Sequence, residues 1–251
     1  MSGHSKWSSI KHQKGVTDAR RGQLFTKLTR EIIVAVRQGG SSPEANFRLR
    51  LAIQKARDNS MPLENIERAI KRGSGTMEGA ALVEMVLEGY GPNGAAILVQ
   101  ALTDNRNRTL QDVRNIFSRH GGSLGESGCV AWLFDSKGLI TIRTDELDTE
   151  ELALEAIDAG AEDVKVETSF VEIYTKLEEL EMVRKALEEK NLPITSAELS
   201  MVPKTMVELE EKPALHTLKL LDKLEELDEV QRVSSNVDFS DSVLEKYQLQ
   251  T

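Results

Sequence analysis

Apolar positions recur every three to four residues over the first third of the chain and then switch to alternation, and this change of period divides the sequence. Thr17 or Asp18 can cap a helix that runs to about Gln38 and ends at Gly39-Gly40. At about 100° per residue, Leu24, Phe25, Leu28, Ile32, Ala35 and Val36 share one face. Arg20, Lys27, Arg30 and Arg37 gather on the other, with Val34 as the single apolar intruder. Ser42-Pro43 opens a second helix, with Leu49, Ala52, Ile53 and Ala56 in one stripe and Phe47 and Leu51 roughly opposite. Met61-Pro62 opens a third, with Leu63, Ile66 and Ile70 inward and Arg68, Lys71 and Arg72 together near its end. Gly73-Ser74-Gly75 stops it and reads as a linker.

Beyond the linker, residues 82–88 and 95–102 read as paired strands, followed by a helix carrying Leu110, Val113, Ile116 and Phe117, and a strand over 129–134. Residues 138–202 supply a unit of their own: strand 139–143, helix 150–159, strands 164–167 and 170–175, helix 177–190 and strand 194–201. That β-α-β-β-α-β order is the ferredoxin-like split unit. A helix over 215–226 and a strand over 229–236 return to complete the preceding layer set. The expected fold is α+β: an N-terminal three-helix domain followed by two ferredoxin-like α/β domains, the third inserted in the second. The expected boundaries are 1–75, 80–135 with 208–240, and 136–207.

Charge sharpens this division. The chain of 251 residues has a net charge of −9, yet residues 1–75 hold 15 Lys and Arg against 6 Asp and Glu, a net +9. The remainder carries −18. A basic block joined to an acidic body points to a polyanion partner for the first and solvation for the second. The alternative is that both charge sets only keep the protein soluble. Cys129 is the single cysteine, which excludes an internal disulfide and suits a reducing compartment. No apolar run approaches bilayer length and the N-terminus lacks a secretory apolar core, so a cytoplasmic location is expected.

Candidate chemistry is concentrated in the basic block. Residues 2–15 form a polar arm on which Lys6, Lys11 and Lys14 flank Trp7, offering phosphate contacts and a ring that either stacks on an unpaired base or packs back onto the bundle. Helix one adds Arg20, Lys27, Arg30 and Arg37, and helix three adds Arg68, Lys71 and Arg72, with Asn65 able to reach a base edge. If about six of these neutralise phosphates, log K falls with log[salt] at a slope near about −5. Arg106 and Arg108 sit where a strand gives way to a helix N-terminus and extend the site, unless Asn107 or Thr109 merely caps that helix.

Other motifs resolve to structure. Gly89-Tyr90-Gly91-Pro92-Asn93-Gly94 matches the dinucleotide-binding pattern in letters, but a strand follows it rather than a helix, and Pro92-Asn93 is turn chemistry. His4, His12, His120 and His216 are scattered without Cys partners, so no metal is expected, nor any cofactor. Glutamate pairs such as Glu178-Glu179 fall on helix exteriors, and nothing singles out two carboxylates for opposed acid and base roles. The chain is not expected to be an enzyme.

Gly3-His4-Ser5-Lys6-Trp7, Ile10-Lys11-His12 with Lys14-Gly15, and Asp18 with Arg21 resemble the opening signature of the YebC/PmpR family. The likeness continues through Phe25-Thr26-Lys27-Leu28, residues 65–70, residues 88–92, residues 103–109 and Gly121-Gly122, and covers essentially the whole chain. It implies a helical domain and two α/β domains, and adds His12 and Arg21 to the basic site. It also implies one of two roles. Bacterial members are classed as DNA-binding transcriptional regulators. The mitochondrial relative is a translational activator for a cytochrome oxidase subunit, and bacterial relatives are linked to easing ribosomes stalled on proline-rich chains. The expected partner is therefore nucleic acid, duplex DNA or ribosomal RNA, with the ribosome as a further candidate. No membrane partner is expected, and a monomer is favoured. A protein-binding adaptor acting through the ferredoxin-like domains is the reading from another class.

Overall fold

The computed structural model describes residues 18–77, 81–144, 148–167 and 170–250, with side chains from Arg20. Three helices come first: α1 (Asp18–Gly39), α2 (Phe47–Asp58) and α3 (Leu63–Gly73). α2 and α3 both pack chiefly on α1 and touch each other little. Leu28, Ile32, Ala35 and Val36 of α1 are buried against Leu49, Ala52 and Ala56 of α2 and Ile66 and Ala69 of α3. Each large aliphatic side chain withdrawn from water contributes roughly 1.5–3 kcal/mol before entropy is charged against it. Leu63, expected inward, is exposed, because it occupies the first turn of α3 ahead of the point where that helix meets α1.

The second helix starts at Phe47 rather than at Ser42-Pro43, and Asn46 explains why. Its Oδ1 accepts the Leu49 N–H at 3.0 Å, capping α2. Its Nδ2 donates to the carbonyls of Ala35 at 2.7 Å and Gly40 at 2.8 Å, which closes the end of α1. One buried amide thus serves two helix termini whose backbone groups lack partners in their own helices. A Cβ at Gly39 would stand 2.7 Å from the Asn46 side chain, so this junction requires glycine.

The strands of the same compact unit are β1 (Val83–Tyr90), β2 (Ala96–Thr103), β3 (Ser123–Leu124) and, after an insertion, β9 (Val230–Ser235). They form an antiparallel sheet in the order β3-β1-β2-β9. The glycine-rich run is the β1–β2 turn: the Gly91 N–H donates to the Ala95 carbonyl at 2.7 Å, and Asn93 and Gly94 both take positive φ, 56° and 80°. Gly89 faces the ring of Phe117 and the Ser123 carbonyl so closely that a Cβ would lie 2.6 Å from that oxygen. These glycines serve a turn and a close strand approach.

Helix α4 (Arg106–Arg119) and helix α7 (Glu211–Glu225) supply Val113, Phe117, Leu218 and Leu221 to the core shared with Ile97, Val99, Val230 and Val233 of the sheet. A parallel pair, β8 (Val207–Glu208) with β10 (Val237–Asp238), and a last helix α8 (Asp241–Leu249) close this layer. The strand pair was not expected from the sequence, since two-residue strands carry no measurable period, and α8 was not expected either. In α8 the buried Tyr247 hydroxyl donates to Asp222, and burial together with that carboxylate holds the phenol above its ordinary value.

The strand expected over 129–134 is absent. In its place residues 125–133 form a loop ending in one 3-10 turn, Ala131–Leu133. The buried Glu88 carboxylate accepts backbone N–H groups from Gly128 at 2.6 Å, Val130 at 2.8 Å and Ala131 at 2.7 Å. Three donors drawn to one carboxylate cannot also feed a strand ladder, and this side-chain acceptor outcompetes sheet pairing.

The second compact unit, Asp135–Val202, interrupts the first. Most of β4 (Phe134–Arg143) is followed by α5 (Thr149–Asp158), β5 (Asp163–Val166), β6 (Phe170–Thr175), α6 (Leu180–Glu189) and β7 (Ile194–Pro203). Its sheet order, β5-β6-β4-β7, is that of the ferredoxin-like split unit. Ile140 and Ile142 stand opposite Ile173 and Val171 in register. Gly138 on the same face would drive a Cβ to 2.9 Å from Leu180, which shows that this face carries the helices. The fold is therefore α+β, with a helical N-terminal region and β-containing domains after it. Among the described residues, no helix is long and apolar enough to cross a membrane.

Candidate nucleic-acid interface

The basic face of α1 is divided between two uses. Gln23, Lys27, Arg30 and Val34 succeed one another at spacings of four, three and four, so they form one stripe. That stripe docks on the sheet domain. Gln23 and Lys27 donate to the backbone carbonyls of Glu226 and Glu225. Arg30 donates to the Leu102 carbonyl at 3.3 Å and pairs with Glu229 at 3.5 Å. Val34 is only 4% exposed, so the apparent intruder belongs to an interface. A second clamp joins Gln38 and Arg48 to the Glu84 carboxylate on β1. Lys27 is thus spent on this interface, whereas Arg30, although paired with Glu229, also lines the neighbouring groove.

Glu229 also pairs with Arg108 at 3.0 Å, and Arg108 reaches Asp104 at 2.8 Å. Asp104 first, and then Glu229, hold the Arg108 guanidinium above its ordinary value. The cap of α4 is Asn105, whose side chain accepts the Arg108 N–H at 3.1 Å, in place of the expected Asn107 or Thr109. Arg106 is exposed and lies 3.5 Å from the Glu84 carbonyl. Because Glu229 bridges Arg30 and Arg108, a double-mutant cycle of Arg30→Met and Glu229→Gln is expected to give a coupling of about 1 kcal/mol in denaturant unfolding, as for partly buried pairs. Additive losses would show that the pair does not tie the helices to the sheet.

The other side of α1 faces α3 across an open groove of about 440 Å³. From α1 come Thr26, Thr29, Arg30, Ile33 and Arg37, and from α3 Asn65, Arg68, Ala69 and Arg72. The α3 set has the i, i+3, i+4, i+7 spacing of one helix face. Ile33, Met61 and Ala69 make an apolar floor, and Leu82 and Asp104 stand at the far end. Four arginines against one aspartate make the groove cationic. Arg68 and Arg72 are exposed and have no polar partner among the described residues, so their guanidinium donors point to solvent. Lys71 is exposed on the outer side of α3, and Arg20 and Arg21 are exposed near the start of α1.

The structure therefore brings together Arg30, Arg37, Asn65, Arg68 and Arg72, leaves Lys71, Arg20, Arg21 and Arg106 exposed outside that set, and turns Lys27 and Arg108 to internal work. Lys6, Trp7, Lys11, His12 and Lys14 lie outside the described residues. Thr26 and Thr29 were missed by sequence reasoning, although both share the Arg30 face. Their hydroxyls donate to the carbonyls of Gly22 and Phe25 within the helix and keep acceptor capacity toward the groove. Cys129 is partly buried, and burial followed by the Glu88 charge pushes its thiol up, which disfavours a reactive thiolate.

Residues 5–76 match the model of the TACO1/YebC protein N-terminal domain, and residues 82–237 match that of the TACO1/YebC second and third domain. The chain belongs to the TACO1/YebC family. A probable transcriptional regulatory protein of Dehalococcoides mccartyi is 62% identical over 250 residues, covering 100% of both chains. One from Natranaerobius thermophilus is 50% identical, covering 98% of this chain and 99% of its own. Among solved structures, a conserved hypothetical protein from Aquifex aeolicus superposes with a TM-score of 0.87 at 49% identity, covering 94% of this chain and 98% of its own. Residues 77–81 lie between the two matched ranges.

Proposed function

We propose that this chain is a non-enzymatic regulator of gene expression that binds nucleic acid by holding phosphates in the groove between α1 and α3. The observation that carries this reading is the pair Arg68 and Arg72, exposed and without polar partners among the described residues, on the rim of a groove with an apolar floor. Guanidinium groups in that state are free to take phosphate oxygens as bidentate acceptors. The arm bearing Lys6, Trp7, Lys11, His12 and Lys14 extends the contact in this reading.

Two targets fit, and each has its own support. The names of the relatives, probable transcriptional regulatory proteins, favour duplex DNA. The shape of the site favours RNA, as in a translation factor or ribosome-binding protein. In helix-turn-helix recognition the reading helix projects into the major groove. Here the basic face of α3 is one wall of a concavity, which suits a single strand or a looped backbone better than a rigid duplex.

The deciding experiment is a salt series with the full chain, measuring its binding to labelled duplex DNA, a structured RNA hairpin and a single strand. About four phosphate contacts, from Arg37, Arg68 and Arg72 in the groove and Lys71 beside it, give an expected slope of log K against log[salt] of about −3.6 on a duplex and about −3 on a single strand. A flat salt response on every probe would remove the proposal.

A further inference from the structure

Trp132 is 66% exposed and Tyr90 is 38% exposed, in a chain where aromatics make up only 4% of residues. Leaving a large ring in water forfeits roughly 1.5–3 kcal/mol of burial, so an ordered exposed tryptophan calls for an explanation. These two rings are also held together. The Tyr90 hydroxyl donates to the Cys129 carbonyl at 3.0 Å, and the Trp132 indole N–H donates to the same oxygen at 3.1 Å. One acceptor thus anchors the polar edge of both rings.

The backbone beneath them is fixed. Glu88 binds three amides of the loop on either side of Cys129, the Gly125 N–H donates to the Glu88 carbonyl at 2.8 Å, and the Lys204 N–H donates to the Leu133 carbonyl at 2.8 Å. The Lys204 ammonium donates to the Trp132 carbonyl at 3.0 Å, which holds an exposed cation at the backbone of the same residue. With their hydrogen-bonding edges already engaged, the rings have only π faces left to offer. A rigid ring loses little freedom on binding, and stacking tolerates any base.

We infer that Trp132 and Tyr90 form a second nucleic-acid contact, a platform on which one or two unpaired bases stack while Lys204 meets the adjoining phosphate. This inference rests on the nucleic-acid reading of the α1–α3 groove and specifies its target as a strand with unpaired bases. The test uses the full chain, a fluorescent twelve-residue oligouridine and a twelve-base-pair DNA duplex, followed by anisotropy. Trp132→Ala is expected to weaken oligouridine binding about tenfold, within the range measured for base–aromatic stacks, and to change duplex binding less than twofold. Trp132→Phe retains most of the affinity. In a Trp7→Phe background, where Trp132 is the sole indole, oligouridine is expected to quench its emission. The platform is overturned if Trp132→Ala binds oligouridine like the parent, or if both probes weaken equally, the mark of a structural lesion. Arg68→Ala/Arg72→Ala separates the two ideas. If it weakens binding while Trp132→Ala does not, the groove stands and the platform falls. Failure of the parent protein to bind either probe removes both.

Discussion

Replacing Glu88 by alanine is expected to lower unfolding stability by about 2–4 kcal/mol, because it strands one buried and two part-buried amide donors of the loop. Glu88 is 5% exposed, and its carboxylate accepts from Gly128, Val130 and Ala131. Burial pushes its proton affinity up, but the three backbone donors together outweigh burial and hold its pKa below the ordinary 4.5. A depressed carboxylate contributes stability that is present above the unfolded value and is lost as pH falls through the folded one. The gap between the parent and Glu88→Ala should therefore be fully open at pH 7 and begin to close below about pH 4.5. Glu88→Gln, which keeps one acceptor oxygen and loses the charge, should fall between the two. Denaturant midpoints followed by Trp132 emission at pH 7 and pH 3.5, in a Trp7→Phe background, measure both effects. A gap of the same size at the two pH values would show that the charge on Glu88 is not what holds the loop.

The second large effect is on binding. Arg68→Ala/Arg72→Ala should weaken nucleic-acid affinity about 30-fold at 0.15 M salt and reduce the salt slope by about 2, since each phosphate neutralised contributes about 0.9 to the slope on a duplex. Stability should change by less than about 0.5 kcal/mol, because both side chains are exposed and make no polar contact among the described residues. Lys27→Ala gives the contrast. Lys27 donates to the Glu225 carbonyl between the helices and the sheet, so its loss should register in stability more than in salt slope. Equal affinity for the parent and the double variant would mean that the groove does not hold phosphate.

Much of this architecture could be read from residue order. Helical period located all three N-terminal helices, and the β-α-β-β-α-β succession over 138–202 identified the ferredoxin-like unit whose strand order is observed. Turn chemistry at Pro92-Asn93 foretold the turn between two strands that is observed there. The segregation of charge was visible at once, as were the positions of Arg68 and Arg72 on one face of their helix. Three of the misses share a cause. Asn46, Glu88 and Glu229 each act through a side chain that reaches distant backbone or charge, and no local period records such a contact.

What the chain alone determined is which residues share a face, because the 3.6-residue helical repeat and the two-residue strand repeat follow from backbone geometry. It could not determine what lies opposite each face. Only tertiary packing set Glu225, Glu226 and Glu229 against Gln23, Lys27 and Arg30, about 200 positions away in sequence, and so separated the cations that join the domains from those left to solvent. A charge is neutral in its consequences until its neighbours are known, since the same guanidinium is a strut beside a carboxylate and a phosphate ligand in open water.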